Sequence, residues 1–260
     1  MKIVFLGDIV GRPGRKAVKE LLPRIKEEYA PDLVVANGEN AAGGFGLSIE
    51  VAAELLNHGI DVITLGNHTW KNREINQVFE RFQQVLRPAN YPPGTPGKGY
   101  GLFVAKNGYE VGILNLLGQV YLEPPLECPF RVAEESVEFL KSKTPYVLVD
   151  FHAEATSEKV ALANFLDGKA SAVLGTHTHV ATADERILPG GTGYITDAGM
   201  CGPVDSVLGV KKELAIAKFL TKRPVKFEVA SGFAEVNGVY LELDESGNTV
   251  RINRIIYSIK

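Results

Sequence analysis

The stretch VITLGNHTW, Val62–Trp70, decides the fold. Val62 to Leu65 reads as a buried, β-favouring run, Gly66 breaks it, and Asn67 and His68 follow side by side. An apolar strand that delivers an amide and an imidazole at its carboxyl end has the form of open α/β sheets, which bind ligands at those ends. Other segments repeat the form. Candidate strands are KIVFLGD (2–8), DLVVANGE (32–39), DVITLGN (61–67), YVLVDFHAE (146–154), SAVLGTHTH (171–179) and GYITDAG (193–199). The first five finish in Asp8, in Glu39 with Asn40, in Asn67 with His68, in His152, and in His177 with His179.

The connections read as helices. Val18, Leu21, Leu22, Ile25 and Tyr29 recur at helical spacing, as do Ile49, Ala52, Ala53 and Leu56, with Gly59 placed for a left-handed cap. Further helices are predicted at 71–82, 133–143, 157–167 and 211–220. Strand alternating with helix predicts a largely parallel sheet covered on both faces. Around 100–117 and 225–257 the pattern changes to strand–turn–strand, with Asn107-Gly108 and ESGN (245–248) as the turns. The expected fold is α/β with added antiparallel strands in two sheets. PANYPPGTPGKG (88–99) reads as a surface loop inside one domain spanning 1–260.

Bulk composition narrows the function. The chain has 260 residues, 45% hydrophobic and 23% charged, with a formal net charge of −3. Such a charge gives no general attraction for nucleic acid or anionic membranes, so a phosphate-bearing ligand must be drawn in locally. Cys128 and Cys201 are the only cysteines and have no CxxC spacing, which argues against a disulfide framework or thiolate metal site and fits a reducing, cytoplasmic setting. MKIVFLGD is too short an apolar run for a signal peptide, and no stretch is long enough to span a bilayer. A homo-oligomer is compatible with all of this.

Taken singly, each strand-end residue has an ordinary reading: Asp8 as a helix cap, Glu39 as a solvated carboxylate, Asn67 as a turn residue. Jointly they do not, because the coincidence recurs five times. Four of the five histidines sit at strand ends, and the fifth, His58, falls on a helix before Gly59 and reads as structural. His177 and His179, two apart in an extended strand, would leave the same face roughly 6–7 Å apart. That spacing suits two ions about 3.5–4 Å apart, one histidine to each, with the Glu39 carboxylate free to bridge. Asn40 joins only if the chain turns there, which Gly38, Gly43 and Gly44 permit. Carboxylate, amide and imidazole without sulfur suit manganese, iron or zinc. Adjacent side chains in a strand diverge, so Asn67 offers a ligating oxygen while His68 is left to protonate a departing alkoxide.

These residues carry a resemblance. Asp8 after a hydrophobic strand, GNH at 66–68, the lone His152 and THTH at 176–179 are similar to the calcineurin-like metallophosphoesterases. GDIVGRPGR, NGENAAGGFG, TLGNHTW, LGTHTHV, DAGMCGP and the FLT–P–FEVA stretch near 219–230 more closely resemble its YmdB-like bacterial branch. Two departures from the wider superfamily belong to that branch: Asp-x-His becomes Asp8-Ile9-Val10, and GDxxD becomes Gly38-Glu39-Asn40. The resemblance implies a four-layer sandwich of two mixed sheets flanked by helices. It implies one metal on Asp8, Glu39, Asn40 and His179, and a second on Glu39, Asn67, His152 and His177, with His68 as proton donor. It further implies a phosphodiesterase, notably of 2′,3′-cyclic nucleotides, with iron or manganese. RNA ends are a further substrate class.

The chemistry expected is metal-assisted hydrolysis, in which a hydroxide bridging two cations attacks phosphorus in line. Arg12, Arg15 or Lys16 would attract the anion or form a solvated helix start. Asp150, Asp197 and Thr178 are candidates to orient the histidines. Rival readings are a nucleotide-binding loop at GDIVGRPG, whose Gly7, Gly11 and Gly14 fit no phosphate-loop spacing; a metal-bearing regulatory protein without turnover; a phosphomonoesterase on the same site; and a Cys201 nucleophile.

Overall fold

The computed structural model describes residues 1–259. The first half runs β1 (Lys2–Leu6), β2 (Asp8–Ile9), α1 (Gly11–Tyr29), β3 (Leu33–Asn37), α2 (Ile49–Asn57), β4 (Val62–Thr64), α3 (Ile75–Arg81) and β5 (Val85–Leu86). The second runs β6 (Tyr100–Val104), β7 (Glu110–Leu117), α4 (Pro129–Lys141), β8 (Val147–His152), α5 (Thr156–Phe165), β9 (Ala172–Thr176), β10 (Arg186–Ile187) and β11 (Gly193–Ile195). The chain ends with β12 (Met200–Pro203), α6 (Lys212–Thr221), β13 (Ala234–Leu243) and β14 (Thr249–Ile259).

Two sheets result. The first has the order β2-β12-β13-β1-β3-β4-β5 with β14 beside β13; the second has the order β10-β11-β9-β8-β7-β6. The β1-β3-β4-β5 and β7-β8-β9-β11 neighbours are parallel, as strand–helix alternation predicts, and the β13–β14 and β6–β7 hairpins are antiparallel.

Side-chain alternation sets the layers. On β1, Val4 and Leu6 pack with Val18, Leu22, Ile25 and Leu55 of the helices, whereas Ile3 and Phe5 turn to the opposite face. There they meet Leu33, Val35, Val62, Val239 and Leu241 of their own sheet and Ile113, Leu148, Ala172 and Leu174 of the other. The outer face of the second sheet, with Val147, Val149, Phe151 and Val173, is covered by Val137 and Leu140 of α4 and Leu162 of α5. The layers are helix, sheet, sheet, helix, which is the expected four-layer sandwich.

The inter-sheet layer changes character along its length. On β8 the residues facing it advance from Leu148 to Asp150 to His152, all buried. Buried Asn37 of β3 and Thr64 of β4 reach it from the other sheet, where Asn37 Nδ2 donates to Asp150 Oδ2 at 3.1 Å and Thr64 Oγ1 donates to it at 2.5 Å. The sheets are thus joined by apolar contact at one end and by a polar network at the carboxyl ends of the strands. A strand built for the core can therefore end in polar residues: its polar tip enters a network that satisfies it.

Several expectations require adjustment. The pattern over 225–257 becomes strand only at Ala234; before it, Gly232 at φ +110° interrupts extended pairing. GYITDAG is strand only through Ile195. The helix expected over 71–82 is confined to Ile75–Arg81, behind a 3₁₀ turn at Thr69–Lys71. The Asn-Gly turn follows the expectation, with Gly108 at φ +86°, and His58 caps α2. Among the described residues, no helix is long and apolar enough to cross a membrane.

Candidate metal centre

The strand-end residues meet where the polar layer opens. Glu39, His152 and His177 place ligand atoms within 4.8 Å of one another. Around them stand the other expected donors. Asn67 Oδ1 is 3.1 Å from His152 Nε2, Asn40 Nδ2 lies 3.1 Å from both Glu39 Oε1 and His179 Nε2, and Asp8 Oδ1 lies 3.7 Å from His179 Nε2. All seven metal-ligand candidates and His68 are thus in one cluster.

The partners of each histidine fix which nitrogen faces inward. Thr176 Oγ1 donates to Asp150 Oδ1 at 2.7 Å, so it can accept only from the proton on His152 Nδ1, 2.9 Å away. His152 Nε2 then faces Glu39 Oε1 at 3.2 Å. His179 Nδ1 donates to the Leu208 carbonyl at 3.0 Å and leaves Nε2 facing Asp8 and Asn40. His177 uses Nε2 on Glu154 Oε2 at 3.0 Å and turns Nδ1 inward. Each ring is oriented from behind, as ligating histidines are. Asp150 is such a partner, acting through Thr176. Asp197 holds the backbone instead, accepting from Thr178 N at 2.9 Å, Thr178 Oγ1 at 2.8 Å and Lys159 Nζ at 2.8 Å.

His177 and His179 depart from the extended geometry expected of them. β9 stops at Thr176, and the two histidines take φ +103° and +65°. The cause is anchoring by residues distant in sequence: His177 N donates to Asp8 Oδ2 at 3.1 Å and Thr178 is tied to Asp197, which winds the chain into a turn. Their rings still reach opposite ends of the cluster, His177 against His152 and His179 against Asp8. Asn67 and His68 also diverge less than adjacent strand residues would. Both follow the end of β4, and His68 Nδ1 lies 2.7 Å from Asn40 Oδ1 and 3.1 Å from Glu39 Oε1. Asn40 thus aims its carbonyl oxygen at His68 and its amino group at Glu39 and His179; ligation through Oδ1 requires the amide turned over.

Electrostatically, the cluster sets buried carboxylates against imidazoles. Asp8 is fully buried, and its Oδ1 has no hydrogen-bond partner. Burial raises the Asp8 carboxyl above its usual range against the pull of His179 and His152. Burial also pushes Glu39 upward, but His152 and His68 overcome it and hold its carboxyl well below the usual range. The same attraction, from Glu39 and then Asp8 and Asp150, overrides the burial of His152 and raises it to about 9. Burial, and next the positive charge of His152, push His177 down to about 3. A metal-free cluster that draws a proton onto a fully buried imidazole, and leaves a carboxylate oxygen bare, fits a positive ion. Gly66 keeps the space open, since a Cβ there would overlap the His152 ring and the Glu39 carboxylate.

The other candidate roles resolve differently. Arg15 is committed to Glu54 and to the Ala41 carbonyl, both at 2.7 Å, so it braces the loop after β3. The glycines of GDIVGRPG serve packing: a Cβ at Gly7 would strike the Gly199 carbonyl, and one at Gly14 the Cys201 carbonyl. Cys201 is buried and its thiol is pushed up to about 12 by burial, which disqualifies it as a nucleophile. The sequence reading missed Glu154, Thr176, Lys159 and the Leu208 carbonyl. Thr176 and Glu154 had a faint signal, one beside His177 and the other two residues past His152; Lys159 and Leu208 had none.

The fold and the donor set define the class: a four-layer α/β sandwich that gathers carboxylate and imidazole groups able to hold a metal at its strand ends. More narrowly, the chain belongs to the family described as YmdB-like protein, which matches residues 4–255. It is 50% identical over 257 residues to the 2′,3′-cyclic-nucleotide 2′-phosphodiesterase of Bacillus subtilis strain 168, covering 98% of this chain and 97% of that one. A solved structure from Thermus thermophilus, described as a hypothetical protein, superposes with a TM-score of 0.93 at 45% identity, covering 99% of both chains. One described as a novel phosphatase from Mycoplasma pneumoniae also gives 0.93, at 38% identity, covering 99% of this chain and 93% of that one.

Proposed function

We propose that this chain is a metal-dependent phosphodiesterase of 2′,3′-cyclic nucleotides, folded as one domain over 1–260 and working in the reducing cytoplasm. The observation that carries the reading is the buried, unpartnered Asp8 Oδ1 amid imidazole, amide and carboxylate donors supplied by both sheets. The B. subtilis relative's name supports the substrate class. One ion would be held by Asp8, Glu39, Asn40 and His179, and a second by Glu39, Asn67, His152 and His177. Iron or manganese suits these donors best, with zinc next. Such a pair supplies a nucleophile at neutral pH and positive charge for the phosphoryl oxygens.

The protein's part is to prepare the donors and manage the proton. To hold a metal through Nε2, His152 would give up the proton there and keep the one on Nδ1 for Thr176. Glu154 and the Leu208 carbonyl hold His177 and His179 in their ligating tautomers. His68 lines an open cavity of about 370 Å³ together with Glu39, Asn40, Glu154, His177 and His179. From there its imidazole protonates the ribose oxygen that leaves phosphorus.

Replacing His68 with alanine should leave two metal ions per chain and lower turnover of 2′,3′-cyclic AMP by about a hundredfold or more. Steady-state kinetics paired with elemental analysis on one sample reads both quantities. Wild-type turnover in the variant would remove His68 from the proton step. A metal-loaded wild type that left cyclic phosphodiesters intact while hydrolysing monoesters would overturn the substrate class.

A further inference from the structure

Beside the metal centre lies a second cavity, of about 200 Å³, whose lining includes Phe45, Val210, Phe227 and Val229 as well as Asn40, His68 and His179. It therefore opens directly onto the donors. We infer that this cavity receives the nucleobase of the substrate and that Phe45 is the surface on which the base stacks. The inference rests on the phosphodiesterase reading and deepens it.

Three segments build the cavity. Phe45 stands on the loop after β3, where Gly43, Gly44 and Gly46 take φ +71°, +100° and +75°. The loop is closed by Gly44 N donating to Asn40 O at 3.1 Å and Ala42 N donating to Gly46 O at 3.0 Å. The opposite wall is a short pairing of 207–211 with 228–230, in which Lys211 N donates to Glu228 O at 3.0 Å and Ala230 N to Gly209 O at 2.8 Å. Gly44 lets the first segment approach the second, since a Cβ there would lie 2.8 Å from Val229 Cγ2. The wall is tied to the metal centre through the bond from His179 Nδ1 to the Leu208 carbonyl.

Phe45 is 45% exposed and meets the edge of His68, with ring centroids 5.0 Å apart and planes at 85°. This half-exposed ring stands at the cavity beside the proposed proton donor, where a planar base attached through a ribose to the phosphate would cover it. Every base offers a π-face, so such stacking is tolerant of sequence. The polar side chains around the cavity are otherwise engaged: Asn40, His68 and His179 belong to the metal cluster, and Glu228 pairs with Lys211. The site therefore recognises a base as a class rather than reading its edge, and purine and pyrimidine cyclic nucleotides should both be accepted.

The test compares kcat/KM of the full-length, metal-loaded protein for 2′,3′-cyclic AMP, 2′,3′-cyclic CMP and glycerol 1,2-cyclic phosphate, which has the same reactive ring and no base. Wild type should favour both nucleotides over the glycerol ester. Phe45→Ala should reduce that preference about tenfold or more, chiefly through KM, and Phe45→Tyr should restore it. The ratio cancels any effect of Phe45 on His68. An unchanged ratio in Phe45→Ala, or a wild type indifferent to the base, overturns the base site alone. No turnover of any of the three esters overturns the phosphodiesterase reading and the base site with it.

Discussion

Lys159 and Asp197 form a fully buried ion pair at 2.8 Å directly behind the His177–His179 turn. The Asp197 carboxylate also receives Thr178 N, Thr178 Oγ1 and Gly199 N, so one side chain anchors the backbone on which two candidate ligands ride. Removing the lysine leaves a buried carboxylate without its counter-charge, which costs about 3–5 kcal/mol. Urea denaturation of metal-free Lys159→Met should show a loss of that size; a loss below about 1 kcal/mol would mean that water or a shifted neighbour replaces the ammonium. The residues that gather in the cluster could be read from sequence, because each lies at or just past the end of an apolar run and residue type alone marks it as a candidate ligand. Their backbone setting could not. The left-handed turns at His177 and His179 arise from Asp8 and Asp197, 169 and 19 positions away from the groups they anchor. No local pattern encodes such partners.

At the scale of elements, Asp150 links the sheets. It lies on β8 of the second sheet and accepts from Asn37 and Thr64 of the first as well as from Thr176 on β9. Burial raises its carboxyl to about 6, against the pull of His152 and of the three donors. An acid whose pKa is higher in the fold than in the unfolded chain contributes its stability fully below the unfolded value of 3.8. That contribution is lost as pH rises through about 6. Asp150→Asn cannot ionise, so metal-free wild type should lose stability relative to the variant between pH 3.8 and about 6, and hold a constant difference above. Urea midpoints across that range measure it, and parallel profiles would show that Asp150 titrates normally. Long parallel strands and both hairpins were legible from their apolar runs and turn residues. Two-residue strands such as β2, β5 and β10 were not, because pairing with a neighbour, rather than their own composition, makes them strands.

For the whole molecule, the two sheets divide the labour. The first supplies Asp8 from β2 and Glu39, Asn40, Asn67 and His68 from beyond the ends of β3 and β4; the second supplies His152 from β8 and His177 and His179 from beyond the end of β9. The centre exists only where the sheets are packed together, so folding and metal affinity should be coupled. Crystals grown in excess manganese and measured at its absorption edge test this most directly. The expected result is two anomalous peaks about 3.5–4 Å apart, with Glu39 touching both and the side chains of Asp8, Asn40, Asn67, His152, His177 and His179 drawn onto one or the other. A single ion, or ions bound elsewhere while these side chains remain hydrogen-bonded to each other, would contradict the account.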